Sequence, residues 1–230
     1  MRLLRVEDMA VLYETVRIEW GRQTLTAFNL WRRWPKRRQY IAVGLYPPGM
    51  ATPRGHLNLW AGFAVSPRPG DWSKFRSHLE QIICGGNKEV FDWLMDWLAD
   101  LAQNPSKKPG TAIVLKSDAK GTGKSMLIAM LKRIFGVHGL SVSKSEHLVG
   151  RFNGHLQKAI LLGVEEAFWA GHKAAEGALK NLITESEITI EHKGIIAIDA
   201  ANYTRLIFTS NENWVVPAVD GTALSGAGGS

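Results

Sequence analysis

Apolar positions fall along this chain in three textures. From Met1 to about Arg54 helical spacing is intermittent, and Tyr46 to Gly70 gathers Pro47, Pro48, Pro53, Pro67 and Pro69 among glycines, the composition of a linker. Within it, Leu57 to Val65 reads as one short strand or as a packed arm. After Pro69-Gly70, Asp71 stands where a helix cap belongs, and Phe75, Leu79, Ile82 and Ile83 recur at helical spacing until Gly85-Gly86. A second helix follows with the stripe Val90, Phe91, Leu94, Trp97, Leu98 and Leu101 and ends before Asn104-Pro105, so the pair predicts a helical hairpin. Trp93 and Trp97 are expected in its core.

Past Pro109-Gly110 the texture changes to short apolar runs separated by helices, which predicts an α/β fold with a parallel sheet flanked by helices. Strands are expected at Thr111 to Leu115, Ala159 to Val164 and Arg205 to Thr209, with an amphipathic helix from Met126 to Phe135. Between the last two strands, alternation over Ile188 to His192 and Ile195 to Ile198, joined by Lys193-Gly194, predicts a β-hairpin. The resulting organisation is a basic, proline-rich and irregular N-terminal lead-in over 1–70, a helical hairpin over 71–105, a core over 106–220 and a flexible tail or expression scar over 221–230.

Composition bounds the function. A length of 230 residues suits one core domain plus a lead-in. There is no run of eighteen apolar residues, and the N-terminus carries charges where a signal peptide needs an apolar stretch, so a soluble, cytoplasmic protein is expected. Cys84, the single cysteine, excludes disulfides within the chain and cysteine-based zinc sites, and its apolar surroundings predict a small core residue. The net charge of +7 leans toward polyanionic partners. Trp31 to Arg38 interleaves aromatic rings with basic groups, a mix suited to phosphates and bases and equally consistent with a flexible lead-in.

Candidate chemistry concentrates in the segment Lys116 to Leu127, KSDAKGTGKSML, which predicts a P-loop. Such a loop turns backbone N–H groups inward ahead of a helix N-terminus, and together they hold phosphate oxygens. Lys120, Gly121, Thr122 and Gly123 form the loop; Lys124 would reach the β- and γ-phosphates, and Ser125 would take a place on Mg²⁺. Asp118 occupies the first glycine position of the motif, where it either bends away or, with Ser117, shapes the start of the loop. Hydrolysis needs a carboxylate for the metal and a group to activate water. The apolar run Ile160 to Val164 ends in Glu165-Glu166, assigned here to metal and water respectively, with the reverse assignment open. A further strand ends in Asn211, an amide able to bond the γ-phosphate or the water.

These motifs in this order resemble the superfamily 3 helicase branch of the AAA+ ATPases. The chain is more closely similar to the helicase-like domain of phage and plasmid primase-helicase proteins, over about Leu57 to Gly221. The blocks that carry the likeness are Leu57 to Phe63, Lys120 to Ser125, Gly150 to Asn153, Glu165 to Trp169, Leu179 to Thr184 and Thr209 to Asn211. The resemblance implies a P-loop NTPase that hydrolyses ATP with Mg²⁺ and moves on single-stranded DNA as a homo-oligomeric, usually hexameric, ring beside a primase-polymerase module. It gives Asn211 a sensor role and implies a basic hairpin in the ring channel, here with His192 and Lys193 at its tip and Lys180 on the same surface. Relatives continue past a stretch like Val215 to Asp220 into arginines, one of them the finger that completes a neighbour's site. This chain passes into Gly221-Thr-Ala-Leu-Ser, with Arg205 as a weak substitute. A truncated or inactive nucleotide-binding module for assembly or DNA binding is the alternative, and a small-molecule or nucleotide kinase a weaker third option.

Overall fold

The computed structural model describes residues 4–117, 121–143, 150, 152–165, 173–194 and 196–211. Its chain divides into two compact units, Met1–Ala42 and Val43–Ser230. The proline-rich stretch through Gly70, grouped with the N-terminus on composition, thus belongs from Val43 onward with the second unit.

The N-terminal unit contains helix α1 (Val6–Leu12), strands β1 (Arg17–Trp20) and β2 (Gln23–Thr26), and helix α2 (Ala27–Arg33). The strands pair antiparallel with Trp20 opposite Gln23, across a two-residue turn that Gly21 permits by taking a φ of 61°. Thr26 closes β2 and caps α2, its hydroxyl accepting the Asn29 N–H at 3.2 Å. Pro35 ends that helix by pushing the residue before it out of the helical region, and Trp34 is extended at φ −69° and ψ 118°.

Short strands β3 (Ala42–Gly44) and β4 (His56–Asn58) follow. Leu57 to Val65 is strand as far as Asn58 and packed arm beyond it. Asn58 exchanges hydrogen bonds with the Tyr46 backbone and accepts the Trp60 N–H. The arm then docks by Trp60 stacked on His138 at 4.5 Å and Phe63 set edge-on to Phe135.

Helices stand over the segment where a helical hairpin is expected, with one change of winding. After α3 (Ser73–Ser77) the chain continues as a π-helix, His78–Ile83, before α4 (Lys88–Gln103). The wider turn carries the Cys84 N–H onto the Leu79 carbonyl, so Leu79 and Cys84 share the buried face while Ile82 turns out to 54% exposure. Along α4 the stripe Phe91, Leu94, Trp97 and Leu101 is buried. Trp97 is core as expected, but Trp93 lies at the edge of the stripe and is exposed.

The remainder is a mixed α/β layer structure: β5 (Ile113–Lys116), α5 (Lys124–Phe135), β6 (Gly139–Val142), β7 (Leu161–Glu165), α6 (Lys173–Thr184), β8 (Glu187–Ile190), β9 (Ile198–Ala201) and β10 (Arg205–Ser210). Four strands pair parallel in the order β5-β10-β7-β6. Strand alternation sends Ile207 and Leu161 to one core with α4 and α5, and Leu206, Phe208, Leu162 and Val164 to another with α6. Sequence periodicity missed β6, because Gly139-Leu-Ser-Val142 is too short and too mixed to register as an apolar run.

The β8–β9 hairpin is longer-looped than expected. Ile190 pairs with Ile198, so residues 191–197 form the connection instead of the tight Lys193-Gly194 turn. At its start Asn153 pins the strand, its side chain donating to the Thr189 carbonyl and accepting the Glu191 N–H at 2.8 Å. No helix among the described residues is long and apolar enough to cross a membrane.

Candidate functional site

The carboxyl ends of the parallel strands are level. Thr209 is the register partner of both Leu115 on β5 and Glu165 on β7, so β10 stands between the glycine loop's strand and the acidic strand end. Neighbouring strands are about 4.8 Å apart, which puts the Glu165 backbone about 10 Å from that of Leu115. Ligands of open α/β sheets collect at such carboxyl ends.

Gly121 and Gly123 take φ of 77° and 79°, left-handed values that admit glycine readily, and α5 begins at Lys124. No side-chain hydrogen bond caps α5 at Gly123, which leaves a helix N-terminus of the kind that receives anions. Two close approaches hold the loop in place. Gly163 lets β7 lie tight under α5, since a Cβ there would meet Ile128 Cγ2 at 2.4 Å, and a Cβ on Gly123 would meet the His78 ring at the same 2.4 Å.

A cleft of about 350 Å³ opens over this loop, lined by Gly121 to Ser125 and by Thr209, Ser210 and Asn211. Lys124 is its centre. The ammonium donates to Asn211 Oδ1 at 2.7 Å and to Ser117 Oγ at 2.5 Å, and Ser117 Oγ lies 3.1 Å from Thr122 Oγ1. Two residues singled out separately in the sequence, 87 positions apart, are therefore in direct contact.

Other sequence candidates are placed as follows. Ser125 is exposed on the first turn of α5 and lines the cleft. Glu165 ends β7 beside Thr209, one strand beyond the lining residues. Lys180 is exposed on α6. Lys193 is exposed on the long connection of the hairpin, while His192 is half-buried, its Nε2 3.1 Å from Gln157 Oε1 and its ring against Gly154, so it anchors the connection from behind. Asp118, Lys120, Glu166, the segment 167–169 and everything from 212 onward lie outside the described residues.

Arg205 is not available to a neighbouring site. It is 1% exposed, its Nη2 2.8 Å from Asp100 Oδ2 and donating to the carbonyls of Asn104 and Lys107, with Trp97 against the guanidinium. It fastens the end of α4 to the start of β10, and the idea that it substitutes for an arginine finger is corrected by this burial.

Sequence reasoning missed His78, Thr209 and Ser210. The last two were legible as the end of an apolar strand ahead of Asn211. His78 was not, because its ring meets Gly123 across two segments distant in the sequence. Buried His138 joins arm to core: its Nδ1 donates to the Lys158 carbonyl at 2.8 Å and its Nε2 accepts the Ala61 N–H at 2.9 Å. Burial lowers its pKa below the ordinary histidine value, partly opposed by the bond to Lys158.

Comparison with known proteins finds a family model, a curated relative and solved structures that this chain resembles. A family model described as a family of unknown function (DUF5906) matches residues 115–223. Over 129 residues the chain is 28% identical to the DNA primase-polymerase of Nitratiruptor phage NrS-1, covering 55% of this chain and 18% of that protein. The apo structure of the NrS-1 C-terminal region (305–718) superposes with a TM-score of 0.69 at 20% identity, over 90% of this chain and 54% of that one. A second apo form superposes at 0.67 and 21% identity, over 90% and 53%. The chain thus spans about half of the solved region whose fold it shares.

Proposed function

We propose that this chain is the ATP-hydrolysing helicase or translocase domain, of superfamily 3 type, of a phage- or plasmid-type replication protein, acting on single-stranded DNA as a ring. The observation that carries this reading is the Lys124–Asn211 contact at 2.7 Å, where the loop lysine and the strand-end amide converge over a helix N-terminus. That convergence is what stabilising a γ-phosphoryl group in flight requires.

The donor set fits a magnesium nucleotide. Ser125 and Glu165 offer oxygen ligands, and Mg²⁺ is held through one or two protein oxygens together with phosphates. Bound there, the ion would neutralise charge on the phosphates. Lys124 would set its ammonium against the β- and γ-oxygens, the backbone around Gly121 and Gly123 would cradle them, and Asn211 would orient the attacking water. Glu166 would take the proton of that water, or exchange roles with Glu165. Lys193 and Lys180, both exposed, would meet the DNA backbone, while His192 would hold the connection that carries Lys193. The NrS-1 relative is a primase-polymerase, which suits a partner module of that kind.

A nucleotide-gated assembly module without turnover is favoured by one observation, the burial of Arg205 at 1% exposure. ATPase assays with Mg²⁺, with and without single-stranded DNA, separate the two readings. DNA-stimulated turnover that falls at least a hundredfold in Lys124→Ala, a loss on the scale of a removed transition-state charge contact, supports the motor. ATP binding without turnover under every condition leaves only the module.

A further inference from the structure

The N-terminal unit holds a second cleft, of about 390 Å³, within the size range of ligand pockets. Its walls are Trp20 and Trp34, the apolar Leu25 and Leu30, and the cations Arg33 and Lys36. Trp20 and Trp34 meet edge to face at 5.8 Å, yet remain 53% and 42% exposed. Trp31 on α2 is 49% exposed as well, but it is packed on Phe28, lies 6.0 Å from the Arg37 guanidinium and does not line this cleft. Two half-open indoles in so small a unit are apolar surface that folding alone does not use.

The charge around the cleft selects the ligand. Residues 1–42 hold nine basic and four acidic side chains, a net +5 of the chain's +7. Flat aromatic walls beside cations match unpaired bases on a phosphate backbone: each base offers a face to stack and each phosphate a charge to neutralise. A duplex keeps its base faces covered, and a chain of carboxylates such as polyglutamate supplies charge without a ring to stack in an indole-walled cleft.

We propose that this cleft is a single-stranded DNA site, in which one unstacked base enters beside Trp20 and Trp34 while Arg33 and Lys36 hold the flanking phosphates. The Thr26 cap and the Pro35 stop fix its geometry, because they set where α2 begins and where Trp34 leaves it. The site needs no nucleotide at the glycine loop, so it gives the chain a hold on DNA independent of ATP.

The test is anisotropy of a fluorescein-labelled oligo(dT) of about 15 nucleotides with the full chain in the absence of nucleotide, alongside quenching of tryptophan fluorescence. Trp34→Ala is expected to weaken binding about tenfold to a hundredfold and to remove most of the quench. Arg33→Glu with Lys36→Glu, both on exposed side chains, is expected to lower the salt slope by about 1.4, at ~0.7 per phosphate contact on single strands. Trp34→Phe, which keeps a ring, retains binding and serves if Trp34→Ala fails to fold. Wild-type affinity in the charge-reversed variant overturns the site. So does duplex or an equally charged polyglutamate competing as well as unlabelled oligo(dT). Because nucleotide is absent, a failed ATPase reading and a failed cleft are seen separately.

Discussion

Gly163 is the point at which the sheet and the helix of the glycine loop press most closely. A Cβ added there would meet Ile128 Cγ2, Cδ1 and Cγ1 at 2.4, 3.0 and 3.3 Å, against the 3.5 to 4.0 Å at which carbon atoms rest. Relief needs a retreat of about 1 Å by Ile128, and that residue is 1% exposed inside a core that includes Leu127, Leu131 and Ile160. Gly163→Ala should therefore cost about 1–3 kcal/mol, the range for overpacking. Ile128→Ala alone should cost about 2–5 kcal/mol through the cavity it leaves. Together the two changes exchange one volume for another, so the double variant should be more stable than the sum by at least ~1 kcal/mol. Urea unfolding followed by far-ultraviolet circular dichroism gives all four corners of the cycle, with unchanged m-values as the check on two-state behaviour. If the costs add to within ~0.5 kcal/mol, the residues are not in repulsive contact and the packing that seats α5 has been misunderstood.

Three further outcomes follow from other contacts. Burial keeps His138 neutral in the fold while the unfolded chain protonates near pH 6.5, so stability should fall as pH drops below about 6.5 toward the lowered folded value, by at most ~1.4 kcal/mol per pH unit. His138→Gln should flatten that slope in urea titrations, and a slope left whole would exclude His138 as its source. Burial raises the Asp100 carboxyl, but hydrogen bonds from Arg205 and Asn104 and the nearby positive charges outweigh it and hold it below its ordinary value, a contribution present above about pH 3.9 and lost below it. Asp100→Ala should cost about 1–3 kcal/mol at neutral pH, less than a fully buried pair because Asp100 is 41% exposed and carbonyls still hold Arg205, and thermal melts in which it costs nothing would refute the anchoring role. Asn153→Ala should cost about 1–2 kcal/mol and speed amide exchange at Glu191, whereas unchanged exchange would show that the hairpin does not depend on it.

Much of the core was legible because burial writes itself as periodicity. The parallel strands at Ile113, Leu161 and Arg205 are apolar runs between turns, and the α4 stripe is spaced for one helical face. What escaped notice depends on contacts between distant segments. The phase of the first hairpin helix changes at His78 because its winding widens there, which no count of apolar spacing shows. The start of the hairpin connection is held by Asn153, some forty residues upstream, a contact no local spacing announces. Arg205 reads in sequence as a free cation at a strand start, and only the meeting of α4 with β10 reveals that Asp100, Asn104 and Lys107 enclose it. The glycine loop was legible as a motif, whereas its meeting with Asn211 is a product of strand order, since β10 crosses to lie beside β5.

That strand order also decides which partner yields when an anion reaches the loop. Asn211 directly follows β10, whose residues are all buried and whose backbone is laddered to β5 on one side and β7 on the other, so the backbone just before the amide is anchored on both sides. Lys124 is the first residue of α5, carried on a long flexible stem behind two glycines in left-handed conformations. Among the groups its ammonium donates to are Asn211 Oδ1, Ser117 Oγ and the Ser117 carbonyl. A phosphate oxygen at the helix N-terminus would compete with the Asn211 amide for the lysine, because hydrogen bonds between charged partners are about twice as strong as those to neutral ones. The lysine would then swing to the anion while Asn211 stayed in place, its carbonyl oxygen released as an acceptor at the edge of the cleft. Under the hydrolytic reading, that is the group and the position needed to hold a water, and it comes free only once a phosphate has taken the lysine.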